Sequence, residues 1–446
     1  MSRRRHRYAF AKPLLVAAFL LFLLSLLGGS DLWSLERTVS AATTFTVNSI
    51  GDGADSNLAD GVCNDGTGAC TLRAAIQQAN ADAGAEIITF APALTAGGPA
   101  TITLLTVLPD LSTDTIIAGP GANLLKVQRS TASGTPSFTI FSVSPNRNVS
   151  LVGLTISNGN FSGIFNSAGS LVISNCVIDA NRNGVVSGFG GGSLIINDSV
   201  VSNSTEVGVE TEAQLGSTAT ATINNCTISG NLLGGVFNSG VFAASVARLT
   251  VNNSTISGNN FGDGSGGGIT TDGIQGGAAI TSLNGSTISG NRALLGPGFA
   301  GGVAALAWDS GSNATVIINN STITANDAPS LNSGAAGMIA DTRSGGTATI
   351  TLHNSIVAGN FRLGGTIASD IVGTVDSSSS FNLIGMGGSG GLTNGVNSNQ
   401  VGVADPRLGP LVNNGGPTQT HALRVGSPAL DAGSNASASV PVICVR

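Results

Sequence analysis

One phrase recurs seven times along this chain and leaves few folds open to it. A short apolar run is followed by a turn residue, a Ser or Cys, a Thr-Ile-like pair and, a little further on, Asn. Anchored on the Ser or Cys, the copies fall at Cys176, Ser199, Cys226, Ser254, Ser286, Ser321 and Ser355, spaced 23 to 35 residues apart. Self-similarity at that period marks a solenoid, in which each repeat buries its apolar face on the next. Three residues before the anchor stand Ile173, Ile196, Ile223, Val251, Leu283, Ile318 and Leu352, and two after it Ile178, Val201, Ile228, Ile256, Ile288, Ile323 and Val357. The position just before the anchor is Asn175, Asp198, Asn225, Asn253, Gly285, Asn320 or Asn354, residue types that accept a left-handed backbone in a tight corner. Each copy therefore reads as two short strands meeting at a bend.

A helical repeat would need about 10 to 12 breaker-free residues of 3.6 periodicity. Here Gly makes up 64 of 446 residues, and the apolar runs are short and dominated by Val, Ile and Thr. The expected fold class is all-β: a parallel β-helix solenoid, with a β-sandwich or propeller as the alternatives. Gly/Ala-rich segments such as Gly234-Gly235-Val236, Gly267-Gly268-Ile269 and Gly301-Gly302-Val303 supply the third side of each coil, and their variable length explains the uneven period. Asn181, Asn231, Asn259, Asn291, Asn326 and Asn360 recur five residues after the anchor, with Asn203 one place early. Stacked amides of this kind hydrogen-bond from coil to coil and fix the register of the rungs.

The segments flanking the repeats read differently. Residues 1–42 carry Arg3, Arg4, Arg5 and Arg7, an apolar stretch from Leu14 to Leu27 and small residues at Ser40, Ala41 and Ala42, the order of an export signal. An uncleaved anchor is the alternative, and would be the chain's one membrane contact. Either way the bulk of the chain is expected outside the cytoplasm, at the cell surface or secreted. In residues 43–90 a strand begins at Phe45, and Thr71 to Ala81 reads as a helix capped by Thr71, with Leu72, Ala75, Ile76 and Ala79 on one face. It is the candidate plug for the first rung, which would otherwise expose strand edges and core. Cys63 and Cys70, close together in an exported loop, are expected to form a disulfide. Cys176 and Cys226 lie two rungs apart, about 9.6 Å, too far to bridge, and are expected as buried free thiols. Cys444 has no evident partner. Rungs are expected over 91–376, a final rung or linker over 377–407, and a separate C-terminal segment over 408–446.

Two stretches resemble known families. Phe45-Thr46-Val47-Asn48, Cys63, and Cys70-Thr71-Leu72-Arg73-Ala74-Ala75 resemble the CSLREA domain of bacterial surface proteins, with Ala74 where that signature carries Glu. Leu408-Gly409-Pro410-Leu411, Asn414-Gly415-Gly416-Pro417-Thr418, His421-Ala422-Leu423 and Gly426-Ser427-Pro428-Ala429-Leu430-Asp431-Ala432-Gly433 resemble the choice-of-anchor Q domain. The rungs between them are similar to the right-handed, pectin-lyase-like β-helix. The family's usual Cys-Asp-Ile-Gly-Ala-Tyr-Glu-like ending is missing, which suggests a truncated gene.

Chemistry is sparse. Charged residues are 9% and the net charge is −6, which excludes nucleic acid as a partner. The pectin-lyase-like resemblance implies a polysaccharide lyase or hydrolase. Such enzymes need clustered carboxylates beside a basic residue. Glu206, Glu210 and Glu212 form the densest acidic group and read as one strand face; the Gly-rich strands align Glu212, Asp272 and Asp341 in one column, with Ser239 and Leu306 on the rungs between. Neighbours in that column would stand about 9.6 Å apart or more, too far to share an ion. Asp52, Asp55, Asp60 and Asp65 are the candidate calcium ligands, and calcium the one cofactor to consider; they match no EF-hand spacing, and turn-forming carboxylates explain them as well. Sugar stacking would need aromatic faces, and beyond the signal the chain keeps Trp308, no Tyr and some Phe, which argues against a lectin-like site with Trp308 as its candidate. With the Ile256 column inward, Thr227, Thr255, Thr287 and Thr322 form an outward hydroxyl row that would suit an ordered surface, though the strand propensity of Thr explains it more simply. The expectation is an exported, monomeric β-helix with a structural, adhesive or ligand-binding role, meeting carbohydrate or another cell-surface component, without catalysis. A carbohydrate-active enzyme is the alternative.

Overall fold

The computed structural model describes residues 42–82, 84–261, 266–293, 299–329 and 334–435. The expected export signal, Cys444 and the end of the C-terminal segment lie outside them. Within them the chain winds as a right-handed parallel β-helix with three long sheets of eleven, twelve and nine strands. One rung shows the plan. Thr218–Asn224 lies in the first sheet, Thr227–Ser229 in the second and Val236–Val241 in the third, and the next rung repeats it with Val246–Asn252, Thr255–Ser257 and Ile269–Ile274. Every pairing between these rungs is parallel and in register, so Ile223 meets Val251, Ile228 meets Ile256 and Val236 meets Ile269. These side chains are at most 2% exposed and form one continuous core. The apolar columns expected on either side of the anchor are thus the inner walls of two sheets. A short fourth ladder, including Asn260–Phe261, Arg292–Ala293 and Asp327–Ala328, lies between the second and third sheets and accounts for the longer period of the later copies.

The corner before each anchor is left-handed as expected, with φ of 48–56° at Asn175, Asn225, Asn253, Gly285, Asn320 and Asn354, and 49° at Asp198. A second left-handed corner, not expected from the sequence, falls four residues after the anchor at Ala180, Asn203, Gly230, Gly258, Gly290, Ala325 and Gly359. Between the two corners run two polar ladders. Each anchor hydroxyl closes its own bend and receives the rung before: Ser254 Oγ donates to the Asn252 carbonyl (2.8 Å) and accepts the Cys226 N–H (3.0 Å). Cys176 and Cys226 stand in this column as buried free thiols. In the Asn ladder, Asn259 Oδ1 accepts both the backbone N–H and the amide of Asn231, while its own amide donates to the Ile228 carbonyl and to Asn291 Oδ1. Asn203 is not a displaced member of this ladder. It occupies the second corner, and Ser204 takes the buried place, its N–H donating to Asn231 Oδ1.

The N-terminal helix, Leu72–Ala81, is capped by Thr71 Oγ1, which accepts the Ala74 N–H, and its expected face is buried. Arg73 is buried too: its guanidinium pairs with Asp52 at 2.8 Å and donates to the carbonyls of Thr106 and Val107, tying the cap loop to the first rungs. The Cys63–Cys70 disulfide closes the same loop.

At the other end, Leu383–Gly385 and Gln400–Val403 continue the second sheet, and Leu408–Val412 pairs antiparallel with Thr420–Leu423. This hairpin folds back across the solenoid. Thr255 Oγ1 donates to the Gln419 carbonyl, Thr418 Oγ1 donates to the Asn253 carbonyl (3.1 Å), and Ser289 Oγ meets His421 Nε2 (2.8 Å). The hydroxyl row does stack in register, Thr227 on Thr255 on Thr287 on Thr322, but it is not an open array. Thr255 is fully buried and Thr287 only 4% exposed. The hairpin's polar groups occupy the face that an ordered surface would need.

Candidate functional site on the outer face of the third sheet

Side chains alternate along a strand, so burying Val209, Thr211 and Ala213 of Val209–Ala213 sends Glu210 and Glu212 to the outer face. Stacking in register then builds two outward columns. One runs Val186, Glu210, Phe237, Thr270, Ala304; the other runs Gly188, Glu212, Ser239, Asp272, Leu306, Asp341. At about 4.8 Å per rung, the Glu212 and Asp272 backbones stand about 9.6 Å apart with Ser239 between them. Glu206 is not part of this strand face. It precedes the strand and is held by Arg182 (2.8 Å) and the Asn183 amide.

Aromatic residues gather on this same side. Phe165 and Phe189 pack at 5.9 Å, and Phe237 sits beside Glu210 in its column. On the later rungs Phe299, Ala300, Ala304, Leu306, Ala335 and Ile339 form a second apolar cluster outside the main core, with Trp308 packed against it. Arg343 lies over the indole at 4.3 Å and pairs with Asp341 at 2.8 Å.

This setting changes the carboxylates. Burial pushes the Glu210 carboxyl up to about 7, helped by the charges of Glu212 and Glu206. Burial also pushes Asp272 up to about 7; the nearby Trp308 indole opposes the shift, while the charges of Asp309 and Glu212 add to it. Glu212 is raised by burial but restrained by a hydrogen bond from the Gln214 amide. The Trp308 indole is directed at the Asp272 carboxyl and opposes its shift, although by strict geometry Trp308 Nε1, Asp272 Oδ1 and Ser239 Oγ, all buried, lack a hydrogen bond.

The candidate calcium ligands bond groups of the chain itself. Asp52 pairs with Arg73 and accepts the Leu105 N–H; Asp55 accepts from Asn57 and Asn64, Asp60 from Val62, and Asp65 from Thr67. Bonds from the Thr67 hydroxyl and N–H hold the Asp65 carboxyl below its usual range. Among the described residues no three metal-ligating side chains converge. A cavity of about 160 Å³ lies in the seam between the last rungs and the C-terminal segment, lined by Asn354, Phe381, Leu423 and Ala432 among others, without ionisable groups. The sequence aligned Glu212, Asp272 and Asp341 correctly, but it gave no sign that Trp308 would turn toward Asp272 or that Ser239 would be sealed between the carboxylates.

No family model matches the chain, and no curated protein matches it. Solved structures match with low similarity. Pectate lyase Pel9A gives a TM-score of 0.43 at 13% identity, covering 80% of this chain and 82% of that one. The A-module of Azotobacter vinelandii mannuronan C-5 epimerase AlgE6 gives 0.37 at 17%, covering 68% and 92%. The Dettilon tailspike protein gives 0.40 at 12%, covering 81% and 69%. The likeness to CSLREA and choice-of-anchor proteins rests on the sequence motifs alone.

Proposed function

We propose that this chain is an exported β-helix protein that binds a neutral polysaccharide along the outer face of its third sheet. The observation that carries the reading is the partly exposed Trp308, stacked by Arg343 beside the column of Glu212, Ser239 and Asp272, on a face that also holds clustered aromatics. A sugar ring offers an apolar C–H face for an aromatic ring and hydroxyls that both donate and accept, which suits an indole flanked by carboxylates. Charge narrows the class. Glu206, Glu210, Glu212, Asp272, Asp309 and Asp341 outnumber Arg182 and Arg343, each already in an ion pair. Above about pH 7, where Glu210 and Asp272 are ionised, a polyanionic chain would meet like charge along this face, whereas a neutral one would not. Export is supported by the signal-like N-terminus and by the Cys63–Cys70 disulfide, which persists in oxidising compartments.

A polysaccharide array carrying neutral β-glucans, xylans and mannans beside polyuronates and sulfated glycans tests this with the full chain. Retention of a neutral polymer is expected, weakened about tenfold by Trp308→Ala, the loss of roughly 1.4 kcal/mol. Retention of polyanions alone, or binding indifferent to Trp308→Ala, would refute it.

A further inference from the structure

We propose that Ser289 and His421 form a second functional site, a serine nucleophile with its base, that cleaves small acyl esters. The site lies on the second sheet beneath the C-terminal hairpin, shares no residue with the third-sheet face and does not depend on the glycan reading. Ser229, Ser257, Ser289 and Thr324 stack in register at the ends of their strands, and over Ser289 the hairpin strand Thr420–Leu423 brings an imidazole. His421 Nε2 stands 2.8 Å from Ser289 Oγ, and its Nδ1 stands 2.7 Å from the Gly409 carbonyl oxygen. A carbonyl oxygen can only accept, so Nδ1 carries the ring proton of the neutral imidazole and Nε2 keeps a lone pair. Ser289 is therefore the donor in its bond, and its hydroxyl proton is aimed at a base whose ring a third group orients. Nucleophile, base and orienting acceptor in hydrogen-bonded series are the arrangement that activates a serine. The neighbouring docking bonds, Thr255 to the Gln419 carbonyl and Thr418 to the Asn253 carbonyl, build no such series.

The corner that follows Ser289 leaves room for a substrate. Gly290 is exposed, with φ of 66°, and a Cβ there or at Gly258 one rung before would meet nothing closer than 3.8 Å. At the equivalent corners the Gly258 and Ala325 N–H groups donate to the Ser289 and Gly359 carbonyls, whereas the Gly290 N–H donates to no carbonyl among the described residues. The N–H that follows a nucleophilic serine is a recurrent oxyanion donor, and this one is unpaired and open to solvent. Ser289 itself is 3% exposed beneath the imidazole, so the way in runs over the two glycines and suits a short acyl group rather than a long one.

In the reaction Ser289 Oγ bonds to the acyl carbon while its proton passes to His421 Nε2, and the carbonyl oxygen gathers negative charge against the Gly290 N–H. The bond from the acyl carbon to the alcohol oxygen then breaks, and that oxygen takes the proton from Nε2. Water repeats both steps on the acyl-serine, releasing the acid and restoring the hydroxyl. One water is consumed, and nothing is oxidised or reduced.

The test treats the full, unaltered chain with a fluorophosphonate probe, locates the adduct by peptide mass spectrometry, and follows hydrolysis of p-nitrophenyl acetate, butyrate and octanoate. Expected are an adduct on Ser289 but not on Ser229 or Ser257, and hydrolysis of the acetate at least about tenfold faster than of the octanoate. Ser289→Ala and His421→Gln should each lower kcat for the acetate at least about 100-fold, with amide exchange over residues 408–423 read on both to show that the hairpin still docks. An unaltered chain that takes no adduct, or takes it equally on Ser229, Ser257 and Ser289, would overturn the proposal without recourse to any variant. Hydrolysis that persists in Ser289→Ala with the hairpin protected would overturn it as well.

Discussion

Two residues in each rung decide how tightly the coil can turn, and they act in opposite senses. The second left-handed corner holds Gly at Gly230, Gly258, Gly290 and Gly359 but Ala at Ala180 and Ala325, where φ is 55° and 56°. An L side chain there costs about 1–2 kcal/mol, partly offset by the extra unfolded-state freedom of Gly. Ala325→Gly should therefore stabilise the protein by about 0.5–1 kcal/mol in urea melts. Asn259→Ala should do the reverse: it removes four hydrogen bonds and strands the Asn231 backbone N–H, costing about 2–4 kcal/mol. The Asn ladder was legible in the sequence because a polar residue recurring beside an apolar column has few other uses. The second corner was not, because Ala at two of its positions hides the backbone demand. The acidic face carries its own signature. Glu210, raised to about 7, keeps a proton that the unfolded chain releases near the ordinary glutamate value of 4.5. Stability from this group is therefore full below about pH 4.5, declines as pH rises to about 7, and is flat above. Glu210→Gln should remove on the order of 2 kcal/mol of that slope in denaturation measured from about pH 4 to 8.

The hairpin Leu408–Val412 and Thr420–Leu423 shows what a local pattern conceals. Its turn motif, Asn414-Gly415-Gly416-Pro417, is plain in the sequence, but its docking partner lies about 160 residues earlier. Strand alternation places the Thr row outside the core, and the row lies there. What covers an outward face depends on where a distant segment returns, and no periodicity encodes it. Thr255→Val removes the donor to the Gln419 carbonyl at little cost in volume. The expected result is a loss of about 1 kcal/mol or less in global stability and faster amide exchange and proteolysis over residues 408–423. Unchanged protection of the hairpin would show that Thr255 does not hold it.

Across the whole molecule, one construction rule yields both stability and function. Stacking equivalent residues about 4.8 Å apart turns any outward position into a line of side chains, so a change at one rung places a new group in a fixed geometry against its neighbours. Most columns carry Thr, Ser and Asn, and these read as scaffold. The column of Glu212, Ser239 and Asp272, beside Phe237 and Trp308, departs from that monotony by placing carboxylates where the others carry hydroxyls and amides. The fold was legible from the apolar columns. The site was legible only as an alignment of acids, since its burial depends on Phe299 and Trp308 packing outside the main core. The most direct test of this account is carbodiimide labelling of carboxylates, read by mass spectrometry on the full chain with and without the neutral polysaccharide it retains. The account predicts that Glu210 and Glu212 lose labelling on binding while Asp179 and Asp198, outside the third sheet, keep theirs. Protection at Asp179 or Asp198 with Glu210 and Glu212 unchanged would contradict it.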